Sequence, residues 1–217
     1  MKLVNLHTHF SLNEQQTGLI NHAVQLDFHP LPGRYYSVGL HPWDIRANEA
    51  DKLILQTEQL SAHPQVLAIG ECGLDRSIET SPEIQQTYFI RQAGIAEKLQ
   101  KPLIIHAVRT YADLLQLKKS MKTSIPWILH GYTGNEETTR QLIKHGFCFS
   151  FGVALLKNSG KLNRSLQLVP PERLFFETDE STVNIESIYI FAASMLGLSP
   201  NGLQSVVWEN FQRITKR

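Results

Sequence analysis

Leu3-Val4-Asn5-Leu6-His7-Thr8-His9 is an apolar run that ends in two histidines, and its design returns four more times along the chain. Leu67-Ala68-Ile69-Gly70-Glu71, Pro102-Leu103-Ile104-Ile105-His106, Trp127-Ile128-Leu129-His130 and Leu174-Phe175-Phe176-Glu177-Thr178-Asp179 each pass from apolar residues into a side chain that binds metal ions. Apolar runs this short, bounded by polar or turn residues, read as buried strands. Strands are predicted at Lys2–Leu6, Thr17–Val24, Tyr35–Leu40, Val66–Glu71, Pro102–His106, Pro126–His130, Phe147–Phe151 and Arg173–Thr178. Longer amphipathic stretches between them predict helices at Asn48–Ala62, Pro82–Gln100, Tyr111–Met121, Glu136–His145, Lys161–Leu168, Ile185–Leu196 and Pro200–Ile214. Ser81-Pro82 and Ser199-Pro200 each give a capping serine followed by proline at the first helical position.

Strands alternating with helices imply parallel pairing through right-handed crossovers. Eight of them predict an α/β, TIM-like (β/α) barrel, and the 217 residues fit one such domain, 1–217. Between Phe10 and Leu40 there is too little chain for two full helices, and Phe28-His29-Pro30-Leu31-Pro32-Gly33 reads as loop. The helical jacket is therefore expected to be incomplete in the N-terminal third.

Composition narrows the function. With 42% hydrophobic and 19% charged residues the chain can build a packed core. A net charge of +1 excludes a global field for nucleic acid, so any polyanion site must be a local patch or a metal. Two cysteines, Cys72 and Cys148, make no disulfide framework and fit a reducing compartment. The N-terminus lacks the pattern of a signal peptide, and the longest apolar stretch, Ile188 to Leu198, is too short to span a bilayer. A soluble cytoplasmic protein is expected, with no membrane association and no obligate protein partner.

In a parallel barrel all C-terminal strand ends meet at one mouth, so the five metal-binding ends are expected to converge there. His7 and His9 lie two apart and share a face. A single strand-end histidine is more often a satisfied polar cap. Histidines in a core have no reason to recur at the same end of successive strands. Histidines with carboxylates suit borderline divalent ions such as zinc, manganese or nickel. Four histidines and two carboxylates exceed the needs of one tetrahedral ion, so two ions sharing Glu71 are expected. Such a pair, about 3.5–4 Å apart, can hold a hydroxide and polarise a phosphoryl or carbonyl group. Glu177 shares the face of Asp179 one layer deeper and reads as a buried hydrogen-bonding residue. Cys72 should point away from Glu71 and has no base placed for it.

These residues resemble the TatD family of metal-dependent deoxyribonucleases, a branch of the amidohydrolase-like barrels, in a short variant. His7-Thr8-His9 is similar to the family's opening His-x-His, and Gly39-Leu40-His41-Pro42 to its Gly-x-His-Pro segment. Gly70-Glu71-Cys72-Gly73-Leu74-Asp75 matches its most specific signature. The runs ending at His106, His130-Gly131 and Glu177-Thr178-Asp179 follow in the family's order. The resemblance implies that His7, His9, Glu71 and Asp179 hold one ion and that Glu71, His106 and His130 hold the second. It implies magnesium, manganese or zinc, hydrolysis of DNA or another phosphoester, and Asp179 as proton acceptor from the attacking water. His41 and Arg109 are the expected substrate-binding residues, and Glu71 and Asp179 the catalytic ones.

Three loops depart from the family pattern. Val108 stands where an arginine is common, with Arg109 one residue later. Arg76-Ser77 replaces a typical aromatic pair. Asp179 leads through Glu180-Ser181-Thr182-Val183-Asn184 into a helix instead of a long basic loop. Substrate choice resides in loops, so two alternatives stay open: hydrolysis of a small ester, lactone or amide, or a metal-binding barrel with little turnover. Arg76, Arg109, Lys157 and Lys161 are the cations expected near the mouth.

Overall fold

A computed structural model of the chain describes residues 2–46 and 48–216. Eight strands follow one another as β1 (Leu3–Thr8), β2 (Gln16–Ala23), β3 (Tyr35–Gly39), β4 (Val66–Asp75), β5 (Leu103–Val108), β6 (Trp127–Leu129), β7 (Phe147–Phe151) and β8 (Leu174–Phe176). Each pairs in parallel with the next, in the order of the sequence. Backbone bonds bring the two edges together. The Asp179 N–H donates to the His7 carbonyl at 3.0 Å and the His9 N–H donates to the Asp179 carbonyl at 3.1 Å. The architecture is the expected (β/α) barrel.

Among the described residues seven α-helices pack outside it: α1 (Ala50–Ser61), α2 (Pro82–Leu99), α3 (Tyr111–Met121), α4 (Glu136–Lys144), α5 (Gly160–Leu168), α6 (Ile185–Leu196) and α7 (Pro200–Thr215). Their starts follow local chemistry. Ser81, Asn135, Asn184 and Ser199 each accept a first-turn backbone N–H through the side chain. Pro82 and Pro200 sit where the missing N–H costs nothing. Because both faces of the barrel wall are covered, β6 and β8 are buried along their whole length, which is why they read as unbroken apolar runs.

The N-terminal third has the thin jacket that its sequence implies. Among the described residues no helix lies between β1 and β2 or between β2 and β3. Phe28 covers part of that wall instead, with its ring centroid 4.9, 5.2 and 5.4 Å from those of His22, Tyr36 and His63.

One strand boundary differs in a way that matters. β4 was expected to stop at Glu71 but runs on to Asp75. Its pairing with β5 slips between Ile69 and Cys72 and then resumes as Cys72 to Ile105 and Gly73 to His106. Glu71 therefore sits on an irregularity inside a strand, where a bulge re-aims a side chain. No helix among the described residues is long and apolar enough to cross a membrane.

Candidate metal centre

Glu71 is the hub. Its carboxylate is 6% exposed, and its two oxygens face different partners. Oε2 lies 3.3 Å from His7 Nε2 and 3.6 Å from His9 Nε2. Both of those nitrogens lie 3.4 Å from Asp179 Oδ1. Oε1 faces the other way, 2.7 Å from His130 Nε2, 3.0 Å from His106 Nδ1 and 3.2 Å from His41 Nε2. The other five side chains read from the strand ends thus gather around this carboxylate. Ligand atoms of His7, His9, Glu71 and Asp179 lie within 4.8 Å of one another, as do those of His41, Glu71 and His106. His41, expected as a substrate contact, stands in the second group. His130 lies between the halves, its ring 4.5 Å from that of His7 and 5.7 Å from that of His106.

The donors fit divalent cations. Both ring nitrogens of His7 are buried without a well-aligned hydrogen bond, although Nε2 faces two carboxylate oxygens. A buried nitrogen in that position is suited to sharing a cation with those oxygens. Charge points the same way. Burial disfavours an ionised Glu71, but His130, His106 and His41 outweigh it and hold the carboxyl well below its usual range. Burial and His130 press His7 down, yet Asp179 and Glu71 prevail and push it up to about 9. His130 is likewise raised well above its usual value against burial, by Glu71 and Glu177. A pocket that binds protons this strongly at buried nitrogens is an electronegative trap for cations.

The backbone around Glu71 explains its signature. A Cβ at Gly70 would lie 2.4 Å from the Ile104 carbonyl oxygen, and one at Gly73 would lie 2.0 Å from that of His106. Only glycine lets β4 come this close to β5 while carrying the irregularity between them. Asn21 on β2 closes the other side, its Oδ1 accepting the Glu71 N–H at 2.9 Å and the Ser37 hydroxyl at 3.3 Å. Sequence reading missed Asn21, which lies inside an ordinary alternating strand with no motif around it.

Outer partners fix the histidine rings. Glu177, fully buried as expected, accepts from the Gly131 N–H and lies 3.3 Å from His130 Nδ1, leaving Nε2 toward Glu71. Asp75 does the same for His106, with Oδ2 3.1 Å from Nε2 and 2.8 Å from Trp43 Nε1. Asp75 Oδ1 accepts from the Ser77 N–H at 2.7 Å and hydroxyl at 2.5 Å. Burial opposes ionisation of Asp75, but the bonds from Ser77, Trp43 and His106 win and hold it at about 2. On the far side Asn5 and Thr178 exchange two hydrogen bonds of 2.8 and 3.0 Å, which tie the Asp179 turn to β1. Cys72 is fully buried, donates to the Ile104 carbonyl at 3.8 Å and has its thiol raised by burial.

The expected cations do not gather here. A cavity of about 340 Å³ opens onto the histidines, and no lysine or arginine is among the described residues lining it. Arg109 is exposed at the end of β5, outside that lining, in a left-handed backbone conformation at φ 57°. Following Val108 directly, it cannot take the direction its neighbour has along the strand. Arg76 is drawn away by a two-pronged pair with Asp113, at 2.8 and 3.0 Å. Lys157 and Lys161 are exposed and also lie outside the lining.

The eight-stranded parallel barrel thus carries a histidine–carboxylate cluster with the donor set of a metal centre at the C-terminal ends of its strands. The chain belongs to the TatD related DNase family, whose model matches residues 20–216. The match begins in β2, so the His7 and His9 positions rest on the geometry above. A metal-dependent hydrolase of Bacillus subtilis, YabD, is 36% identical over 149 residues, covering 67% of this chain and 58% of that protein. The 3'-5' ssDNA/RNA exonuclease TatD of Escherichia coli is 33% identical over 150 residues, covering 66% of this chain and 56% of that one. The chain thus spans less than two thirds of the length of these relatives. The fold matches the TatD homologue YJJV of Escherichia coli with a TM-score of 0.81 at 17% identity, over 99% of this chain and 98% of that one.

Proposed function

We propose that this chain is a divalent-metal-dependent phosphodiesterase of the deoxyribonuclease type, working at the mouth of a single barrel domain. One observation carries the reading: each oxygen of the buried Glu71 carboxylate faces its own group of histidines. In this reading His7, His9, Glu71 and Asp179 hold one ion, and Glu71, His106 and His130 hold a second. Two such ions, of zinc, manganese, magnesium or nickel, would acidify a water to a pKa near 7 and offset the charge that builds up on a phosphoryl group. Asp179, half-buried at the edge of the cavity, is assigned to take the proton from the attacking water. Glu71 stays ionised throughout and keeps the two halves together.

His41 retains the substrate role read from its motif. Its Nδ1 accepts the Trp43 N–H at 3.2 Å, so the neutral ring carries its proton on Nε2. A ring in that tautomer donates through Nε2, which lies 3.2 Å from Glu71 Oε1 and at the cavity, and does not ligate through that atom. It is assigned to a phosphate oxygen of the substrate. Two unpaired, buried thiols support a reducing, cytoplasmic setting.

Purified protein with added manganese, assayed on single-stranded DNA and on bis-p-nitrophenyl phosphate, tests the reading. Turnover of both, lost by more than about 100-fold in Glu71→Ala, is expected, since removing even an outer-shell partner costs about 10–100-fold. Turnover confined to carboxyl esters, or bound metal without turnover, would refute it.

A further inference from the structure

We propose that Trp43 forms the floor of an aromatic subsite beside the metal cluster and stacks on the nucleobase next to the scissile phosphate. This rests on the phosphodiesterase reading above and deepens it. Trp43 follows His41 by two residues and stands 61% exposed. Unlike a loose surface residue it is held in place. Its indole N–H is tied to the buried Asp75 at 2.8 Å. Its ring meets His41 at 4.9 Å and 89°, and His106 at 5.8 Å and 76°. The ring is thus fixed by the same carboxylate that orients His106, with much of its surface open. A pre-oriented aromatic face loses little entropy when a planar group settles on it.

The surroundings say which group that is. Trp43 shares the cavity lining with Ala23, Gly39, Ala107 and Val108, and no basic side chain is among the described lining residues. Nothing there grips flanking phosphates through charge, and Asp44 and Glu180 on the rim repel them. Beyond the scissile phosphate, which the metal cluster and His41 take, the substrate is therefore held by an apolar, planar part. Every base has a π-face, and stacking on an aromatic side chain is the usual sequence-tolerant grip on single-stranded nucleic acid.

The full chain with manganese, as wild type, Trp43→Phe and Trp43→Leu, is assayed on a thymidine dinucleotide and on the same dimer with the leaving base removed. Trp43→Leu is expected to raise KM for the intact dimer by roughly 5- to 100-fold, the loss of one stacked base, with little effect on the abasic dimer. Trp43→Phe keeps a ring but not the N–H, and is expected to restore most of the affinity. Equal losses in Phe and Leu, or a kcat loss alike on both dimers, would mean that Trp43 acts only by holding Asp75 and would overturn the subsite. A binding measurement keeps the two readings apart if no turnover is seen. In protein carrying 5-fluorotryptophan, the fluorine resonance missing from Trp43→Phe should shift with thymidine 5′-monophosphate and stay put with 2-deoxyribose 5-phosphate. No base-dependent shift would sink the subsite whatever the enzyme hydrolyses.

Discussion

Asp75→Asn is a nearly isosteric change with a large expected effect. The Asp75 carboxylate accepts from four donors: the Ser77 N–H and hydroxyl on Oδ1, and Trp43 Nε1 and His106 Nε2 on Oδ2. An asparagine must turn its NH2 group toward one pair: toward Ser77 it meets one N–H, because the hydroxyl can turn to accept, and toward Trp43 and His106 it meets two. A hydrogen bond to a charged group is worth about 1.5–3 kcal/mol, so the loss lies between roughly 1.5 and 6 kcal/mol before relaxation. The ionisation of Asp75 gives an independent figure. A group held at about 2 against an ordinary 3.8 contributes roughly 2 kcal/mol at neutral pH. Its folded value is the lower one, so this stabilisation is complete above pH 3.8 and disappears as pH falls through about 2. A loss of roughly 2–4 kcal/mol should lower Tm by about 5–15 °C in a chain of this size. Released from Asp75, His106 also loses its fixed tautomer, which should weaken manganese binding or turnover by about 10–100-fold. Thermal melts of metal-free protein at pH 7 and pH 3, with metal titration at pH 7, measure both effects. A variant that melts within about 1 °C of wild type at pH 7 and binds manganese equally would refute the role given to Asp75.

Glu177→Gln should weaken metal binding by about 10–100-fold through His130, read by isothermal titration with manganese. The neutral amide also weakens the bonds that Oε1 accepts from the Gly131 N–H and His130, so metal-free protein should lose about 1–3 kcal/mol in a denaturant melt. In Gly73→Ala the new methyl would meet the His106 carbonyl. A loss of about 3 kcal/mol, the upper end for overpacking, is expected, together with lower metal affinity. An unchanged urea midpoint would contradict the close β4–β5 approach. Cys72→Ala should keep turnover within about twofold, and iodoacetamide should leave the folded enzyme active, because the thiol is buried and raised. Inactivation that maps to Cys72 by mass spectrometry would argue for a catalytic thiol.

Strands and helices were legible because each carries its own local signal. The buried runs at β6 and β8 could be nothing but core, and the serine–proline starts of α2 and α7 are printed in adjacent residues. The convergence of His7, Glu71, His106, His130 and Asp179 was legible for a different reason, since barrel closure brings strand ends to one mouth whatever the details. What sequence could not give was direction within a few ångströms. Glu71 lies on an irregularity inside a long strand, and that register depends on how closely two backbones approach through Gly70 and Gly73. Asn21 is set by pairing across β2, β3 and β4, and no neighbouring residue announces it. The cations failed similarly. Arg76 found Asp113, and the left-handed turn at Arg109 left that residue exposed outside the lining of the cavity. Spacing along the chain says a charge is near a mouth but not which way it leans.

Anomalous diffraction from crystals soaked in manganese and measured at its absorption edge tests the shared-carboxylate centre most directly. Two peaks are expected about 3.5–4 Å apart, one beyond each oxygen of Glu71, the first among His7, His9 and Asp179 and the second among His106 and His130. A single peak bound by one oxygen alone, or peaks remote from Glu71, would contradict a two-ion centre.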